Sequence, residues 1–284
     1  MTVATLPKKE YIMGQRLQDK VAVITGGTSG IGAATAELFV AEGARVVLTG
    51  RSREKGSALA DRLGSSAVYH ESDVMREEDI KASIDLAVER FGSLDILFNN
   101  AGGPTRGPFD SITSEDIDYG VHLLLRSAML GIRYAIEPMK AAGGGSIINN
   151  SSIAAIRYRQ GDPLYSALKA AMTHYSKLAG VELGRFGIRV NVISPGAIAT
   201  PIFYGGSARA NTLSDEENAR KMTKLTYNLS RATPMTRAGL SEDIAEAALY
   251  LASDAGRFVN SHDLVVDGGR TSMFNEWHDE DRPQ

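Results

Sequence analysis

The chain has 284 residues, 43% hydrophobic and 23% charged, which is enough to bury a full α/β core and ordinary for a soluble protein. A formal net charge of −3 gives no electrostatic argument for binding nucleic acid or an anionic membrane, and no apolar run is long enough to span a bilayer. Zero cysteines exclude disulfides and thiolate chemistry, the five histidines show no metal-ligand spacing, and no catalytic metal is expected; a cytoplasmic setting fits.

Residues 1–16 read as an N-terminal arm without the apolar stretch of a secretory signal. The β-branched run at 21–25 reads as a buried strand and leads into Thr25-Gly26-Gly27-Thr28-Ser29-Gly30-Ile31-Gly32, followed by a helical pattern over 33–40. A strand, a glycine-rich turn and a helix in succession form a dinucleotide-binding arrangement. Gly26, Thr28, Ser29, Gly30 and Ile31 would bring backbone N–H groups and a helix N-terminus to a pyrophosphate. Further strands are expected at 45–49, 67–70, 95–98, 146–150, 188–193 and 264–266, with helices at 52–63, 77–91, 114–140, 163–185 and 241–252. This alternation predicts βα units on a parallel sheet flanked by helices, in one domain over 17–270.

The end of the second strand bears on the cofactor. An acid there would hydrogen-bond a ribose 2′-hydroxyl and repel a 2′-phosphate. This chain has Gly50 and then Arg51, with Ser52 and Arg53 close by. A guanidinium grips a phosphate through two N–H groups, so NADP(H) is expected over NAD(H).

Tyr165 and Lys169, four residues apart, share one helix face, and Ser152 stands thirteen residues before the tyrosine. A lysine cation favours the phenolate, and a serine hydroxyl can hold a carbonyl or alcohol oxygen. Together they describe a proton donor and acceptor at a C–O bond, with Ser151 as the rival serine. The segment 197–239 is irregular apart from a capping box, Ser214-Asp215-Glu216-Glu217, which should start a helix running to about Leu229. Its Ile202, Phe203, Tyr204, Met222, Leu225, Tyr227 and Leu229 either pack that helix or wall a ligand. In the loop after Ser152, Tyr158 and Gln160 could face a substrate, and Arg157 or Arg159 could meet an anionic group; Gly103 to Arg106 form another wall. These residues suggest a bulky hydrophobic ketone or secondary alcohol, aromatic or alicyclic, and no distinct basic patch marks a carrier-protein dock. The tail 271–284 is either a frayed end or docks on a neighbouring subunit through Met273, Phe274 and Trp277.

The glycine turn, Asp73-Val74, Asn99 to Gly102, Ser152, Tyr165-x-x-x-Lys169, Pro195-Gly196 and Asp267 to Gly269 occur in an order that resembles the short-chain dehydrogenase/reductase family from about Leu17 to Gly269. The resemblance implies a Rossmann-type, doubly wound, seven-stranded parallel sheet, a nicotinamide cofactor and oxidoreduction of an alcohol or ketone. It implies that Asp73 and Val74 flank the adenine, that Asn99, Ala101 and Gly102 line the ribose side, and that Lys169 binds the nicotinamide ribose beside Tyr165. Pro195, Gly196, Ile198 and Thr200 would meet the nicotinamide end, 197–239 would cover the substrate, and the assembly would be a homotetramer. One position departs: the family's asparagine on the long helix falls at Leu124, with His122 two residues before it. If that leucine impairs catalysis, the chain is instead a catalytically weak cofactor-binding or sensor protein. An NAD(H)-dependent enzyme of the same family is the other alternative.

Overall fold

Seven parallel strands run through the centre of the computed structural model, which describes residues 15–235 and 237–273. They are β1 (Val21–Ile24), β2 (Arg45–Gly50), β3 (Ala67–Glu71), β4 (Ile96–Asn99), β5 (Gly145–Asn150), β6 (Ile188–Pro195) and β7 (Asp263–Val266), in the order β3-β2-β1-β4-β5-β6-β7. Every pairing is parallel, as the intervening helices require. Strand order reverses between β1 and β4, and such a switch point opens a crevice at the strands' carboxyl ends.

Alternation along the strands splits the core in two. Ala22 and Ile24 of β1 pack with Phe39 of α1 (Gly30–Ala41) and Leu249 of α9 (Ser241–Ala252). Val21 and Val23 face the opposite way, towards Ile84 of α3 (Glu77–Phe91), Met139 of α5 (Ser127–Ala141) and Leu183 of α6 (Pro163–Leu183). Burial on both faces explains why the strands read as near-continuous apolar runs. Helix α2 (Arg53–Leu63) flanks β3.

The helix expected over 114–140 has three parts. These are α4 (Ser114–Gly120), a π-helical turn over Val121–Arg126, and α5. Leu123 and Leu124 of that turn are buried in a third apolar cluster with Val74, Ile80, Leu164 and Leu168. Ser127 donates its hydroxyl back to the Leu123 carbonyl at 2.7 Å, helping to satisfy a backbone disturbed by the wider turn.

The irregular segment 197–239 carries α7 (Gly206–Ala210) and α8 (Asp215–Ser230). The predicted capping box starts α8: Ser214 Oγ accepts from the Glu217 N–H at 3.2 Å, and a Glu217 carboxylate oxygen accepts from the Ser214 N–H at 3.0 Å. No residue of α8 is fully buried. Of the expected arms, only 15–16 and 271–273 fall within the described residues, so Phe274 and Trp277 lie outside them. Among the described residues no helix is long and apolar enough to cross a membrane.

Candidate active site

A cleft of about 960 Å³ opens at the carboxyl ends of the strands, within the size range that holds a sizeable ligand. The glycine-rich turn forms one wall. Gly26 has a left-handed φ of +65°, and a Cβ there would lie 2.9 Å from the Ala101 Cα, so only glycine permits the β1 and β4 ends to approach this closely. The Thr25 hydroxyl joins the same two ends by accepting from the Asn100 and Ala101 N–H groups, each at 3.0 Å.

Gly26, Thr28, Ser29, Gly30, Ile31, Arg51, Asp73, Val74, Ala101, Gly102, Pro195, Gly196, Ile198 and Thr200 all line this cleft, together with Ser152, Tyr165 and Lys169. Asn99 does not. As the last residue of β4 it turns to the other side of the sheet and donates to Asn149 Oδ1 at 2.8 Å, so strand alternation hands the cleft position to Asn100. Asn100 donates to the Thr25 carbonyl at 3.0 Å and accepts from Asn150 Nδ2 at 2.9 Å.

Two basic side chains follow Gly50, and they divide. Arg53 is bound to Glu71 at 2.7 and 2.9 Å, whereas Arg51 is exposed on the cleft. A Cβ at Gly50 would meet Thr28 Cγ2 at 2.9 Å, so the threonine occupies the space an acidic side chain would need. From above, α7 reaches the glycine turn: the Ser207 and Ser29 hydroxyls lie 3.0 Å apart. Just beyond α7, Asn211 accepts from Lys55 Nζ at 2.6 Å.

The catalytic candidates meet on one wall. Asp162 caps α6 by accepting from the Tyr165 N–H at 3.1 Å, and its other oxygen accepts from the Thr105 hydroxyl at 2.7 Å. Lys169, a turn further along, is buried and donates to the Asn150 carbonyl at 2.6 Å, with Nζ 5.6 Å from the Tyr165 ring centre. Ser152 bonds to the Tyr165 phenol, while Ser151 turns into the core onto the Thr173 hydroxyl at 2.7 Å. The rival serines are thereby separated.

Loss of water contact dominates the electrostatics. Although the Tyr165 ring borders the open cleft, desolvation pushes its phenol up to about 12; the Ser152 hydrogen bond opposes this and the Asp162 charge adds to it. Desolvation also brings Lys169 down to about 8. The expected lowering of the tyrosine by the lysine is therefore not what this arrangement shows, because burial disfavours both charged forms.

Leu123, Ile153, Ile202, Phe203 and Leu229 form the apolar side of the remaining space, and Arg159, Gln160 and Arg270 its polar rim. Several candidates lie elsewhere. Tyr158 is 95% exposed and off the cleft; the exposed Tyr227 and the half-buried Tyr204, Met222 and Leu225 do not line it either. Arg157 donates to the Arg270 carbonyl instead. His122 is exposed and also off the cleft, so it does not take the asparagine's place. Leu124 is buried behind Lys169, beside a cavity of about 10 Å³ shared with Ser127 and Asn150, roughly one water in size.

Asn100, Asn150, Ser207, Asn211 and Arg270 also line the cleft. Of these, Asn100 belongs to the Asn99 to Gly102 motif; the others carry no local sequence signal. No cluster of His, Asp and Glu that could hold a metal occurs among the described residues.

Comparison with known proteins agrees with this geometry. A family model described as enoyl-(acyl carrier protein) reductase matches residues 26–271. Momilactone A synthase of Oryza sativa subsp. japonica is 42% identical over 258 residues, 90% of this chain and 91% of the relative. (+)-Borneol dehydrogenase 2 of Salvia officinalis is 36% identical, with 90% and 91% covered. A solved Burkholderia xenovorans chain, described as a short-chain dehydrogenase/reductase, superposes with a TM-score of 0.79 at 31% identity, covering 92% of this chain and all of that one. The chain belongs to the short-chain dehydrogenase/reductase family of oxidoreductases.

Proposed function

We propose that the protein is an NADP(H)-dependent oxidoreductase that interconverts a bulky hydrophobic ketone and its secondary alcohol. The observation that carries this reading is the convergence of Ser152, Tyr165 and Lys169 on the same cleft as the glycine turn and Arg51. The residues fit a nicotinamide dinucleotide: the Gly26 cradle would be filled by a Cβ, and the buried Ser72 hydroxyl beside Arg51 and Ser52 has no protein partner. Gly26 to Ile31 would hold the pyrophosphate, Arg51 a 2′-phosphate, Asp73 and Val74 the adenine, and Pro195 to Thr200 with Lys169 the nicotinamide end. A nicotinamide bound there supplies the hydride.

The chain's own residues handle the proton. Tyr165, its phenol pushed up to about 12, carries its proton at neutral pH and would give it to a carbonyl oxygen held by Ser152 as the hydride adds. Oxidation of an alcohol asks the same group to act as a phenolate and take the alcohol's proton. Lys169, near 8, gains and loses its own proton close to neutrality, which suits a group that restores the tyrosine's proton.

The apolar walls from Leu123, Ile153, Ile202, Phe203 and Leu229 support an alicyclic or aromatic substrate, with 197–239 acting as its lid. The names of the borneol dehydrogenase and momilactone A synthase relatives support the same class of substrate. A homotetramer in the cytoplasm accompanies this reading as a family expectation. The exposed Leu178 and Val181 on α6 supply an apolar face for subunit contact.

The test follows reduced-nicotinamide absorbance with NADPH and NADH against aromatic, alicyclic and aliphatic ketones. NADPH turnover of the first two classes supports the proposal. Faster turnover with NADH overturns the cofactor assignment, and tight NADPH binding with no turnover favours the sensor alternative.

A further inference from the structure

One side chain fastens three separate segments around the substrate end of the cleft. After β7 the chain makes a tight turn in which Asp267 accepts from the Gly269 N–H at 2.8 Å and the Thr271 N–H at 2.6 Å. Gly268 and Gly269 take left-handed φ values of +63° and +87°. That turn delivers Arg270 to the rim of the cleft, where its side chain is half-buried. Arg270 Nε donates to Gln160 Oε1 at 2.6 Å, in the loop that follows Ser152. Arg270 Nη1 donates to the Ala232 carbonyl, just past the end of α8. The Arg270 carbonyl accepts from Arg157 Nη1, on the same loop as Gln160.

This loop needs such an anchor. Between Arg157 and Gly161, the other side-chain hydrogen bond among the described residues joins Gln160 Nε2 to the Tyr158 carbonyl at 3.4 Å and stays inside the loop. Arg159 sits at a φ of +58°, a conformation that residues with side chains rarely adopt. Helix α8 is equally dependent on its ends, having no fully buried residue of its own.

We infer that Arg270 is a positioning residue that sets the gap between the substrate loop and the lid, and thereby substrate affinity and selectivity, while leaving the cofactor half of the cleft untouched. The inference rests on the reading of this cleft as a carbonyl and alcohol site. Planarity is what suits arginine here: Nε and Nη1 diverge from one rigid plane towards two fixed acceptors, whereas a lysine presents a single ammonium.

The test compares Arg270→Ala, Arg270→Lys, Gln160→Ala and the Arg270→Ala/Gln160→Ala pair. For the best ketone, Arg270→Ala is expected to raise KM about tenfold with kcat within about threefold and NADPH affinity unchanged, and Arg270→Lys to recover only part of the loss. Gln160→Ala should raise KM in the wild type, but added to Arg270→Ala it should change nothing further, because the two act through one contact. Hydrogen exchange with NADPH present is expected to quicken over 153–162 and 215–232 in Arg270→Ala and to stay unchanged over the glycine turn. Unaltered exchange in both segments overturns the inference, as does an equal loss in KM, kcat and NADPH binding, which marks general destabilisation. A wild-type protein that turns over no ketone defeats the functional reading, while the exchange measurement still decides the role of Arg270.

Discussion

The proposed preference for NADP(H) rests on two adjacent residues, and both can be changed. Arg51 is exposed on the cleft and has no hydrogen bond or ion pair among the described residues, whereas Arg53 is held by Glu71. A hydrogen bond to a charged group contributes about 1.5–3 kcal/mol, so Arg51→Ala should weaken NADPH binding by about 10- to 150-fold. The lower half of that range is expected, because an exposed contact is screened and should fade as salt rises. NADH lacks the 2′-phosphate and should lose less than about threefold. Reversal requires more than an added acid. Gly50→Asp alone drives its Cβ to 2.9 Å from Thr28 Cγ2, on a short branched side chain with little freedom to retreat. Gly50→Asp with Thr28→Ala relieves that contact and should favour NADH. Titration of each variant with both nucleotides, followed by kcat/KM for each, provides the measurement. An Arg51→Ala variant that loses affinity for both nucleotides equally refutes the phosphate-binding role.

Three further outcomes follow from the same geometry. Tyr165→Phe should lower turnover by about 10²- to 10⁴-fold and leave NADPH affinity intact, as steady-state kinetics beside a binding titration will show. Leu124→Asn places an amide in the apolar cluster of Val74, Leu164 and Leu168, so its melting temperature should fall, while turnover per folded molecule stays similar or improves; complete loss of turnover in folded protein counts against this. The fall of Lys169 from 10.5 to about 8 corresponds to about 3 kcal/mol of unfavourable burial. Above pH 8 the folded state sheds this proton while the unfolded state keeps it to 10.5, so the penalty is full below pH 8 and disappears as pH rises through that window. Lys169→Met should therefore be no less stable than wild type in ligand-free urea denaturation at pH 7, with the wild type gaining on it towards pH 10.

What the sequence revealed follows from how local each signal is. The strands were readable because both sheet faces are covered, and α8 because Ser214 and Glu217 spell their own cap. The π-helical turn was not, since Val-His-Leu-Leu-Leu-Arg has the composition of an ordinary helix and nothing local marks the wider turn that lies against α6. Asn99 and Asn100 differ by a single strand register, which decides whether the side chain meets Asn149 or the cleft. Arg51 and Arg53 likewise looked alike until Glu71 of β3 claimed the second. Arg270 had no motif at all, because its partners lie 38 and 110 residues away.

These long-range contacts also bear on the missing asparagine. Lys169 is held from the sheet side, by the carbonyl of Asn150 at the end of β5, and Asn150 is braced in turn by Asn100 and the Thr25 backbone. That chain crosses from β5 to β1 without using any side chain of the long helix. The π-helical turn is also present with leucine at position 124, so neither the helix's departure from regular geometry nor the lysine's anchorage depends on an amide there. Leucine instead closes the back of the site with apolar bulk, in surroundings where burial raises the Tyr165 phenol and lowers the Lys169 ammonium. On this argument leucine at position 124 is compatible with the arrangement of Ser152, Tyr165 and Lys169 on the cleft.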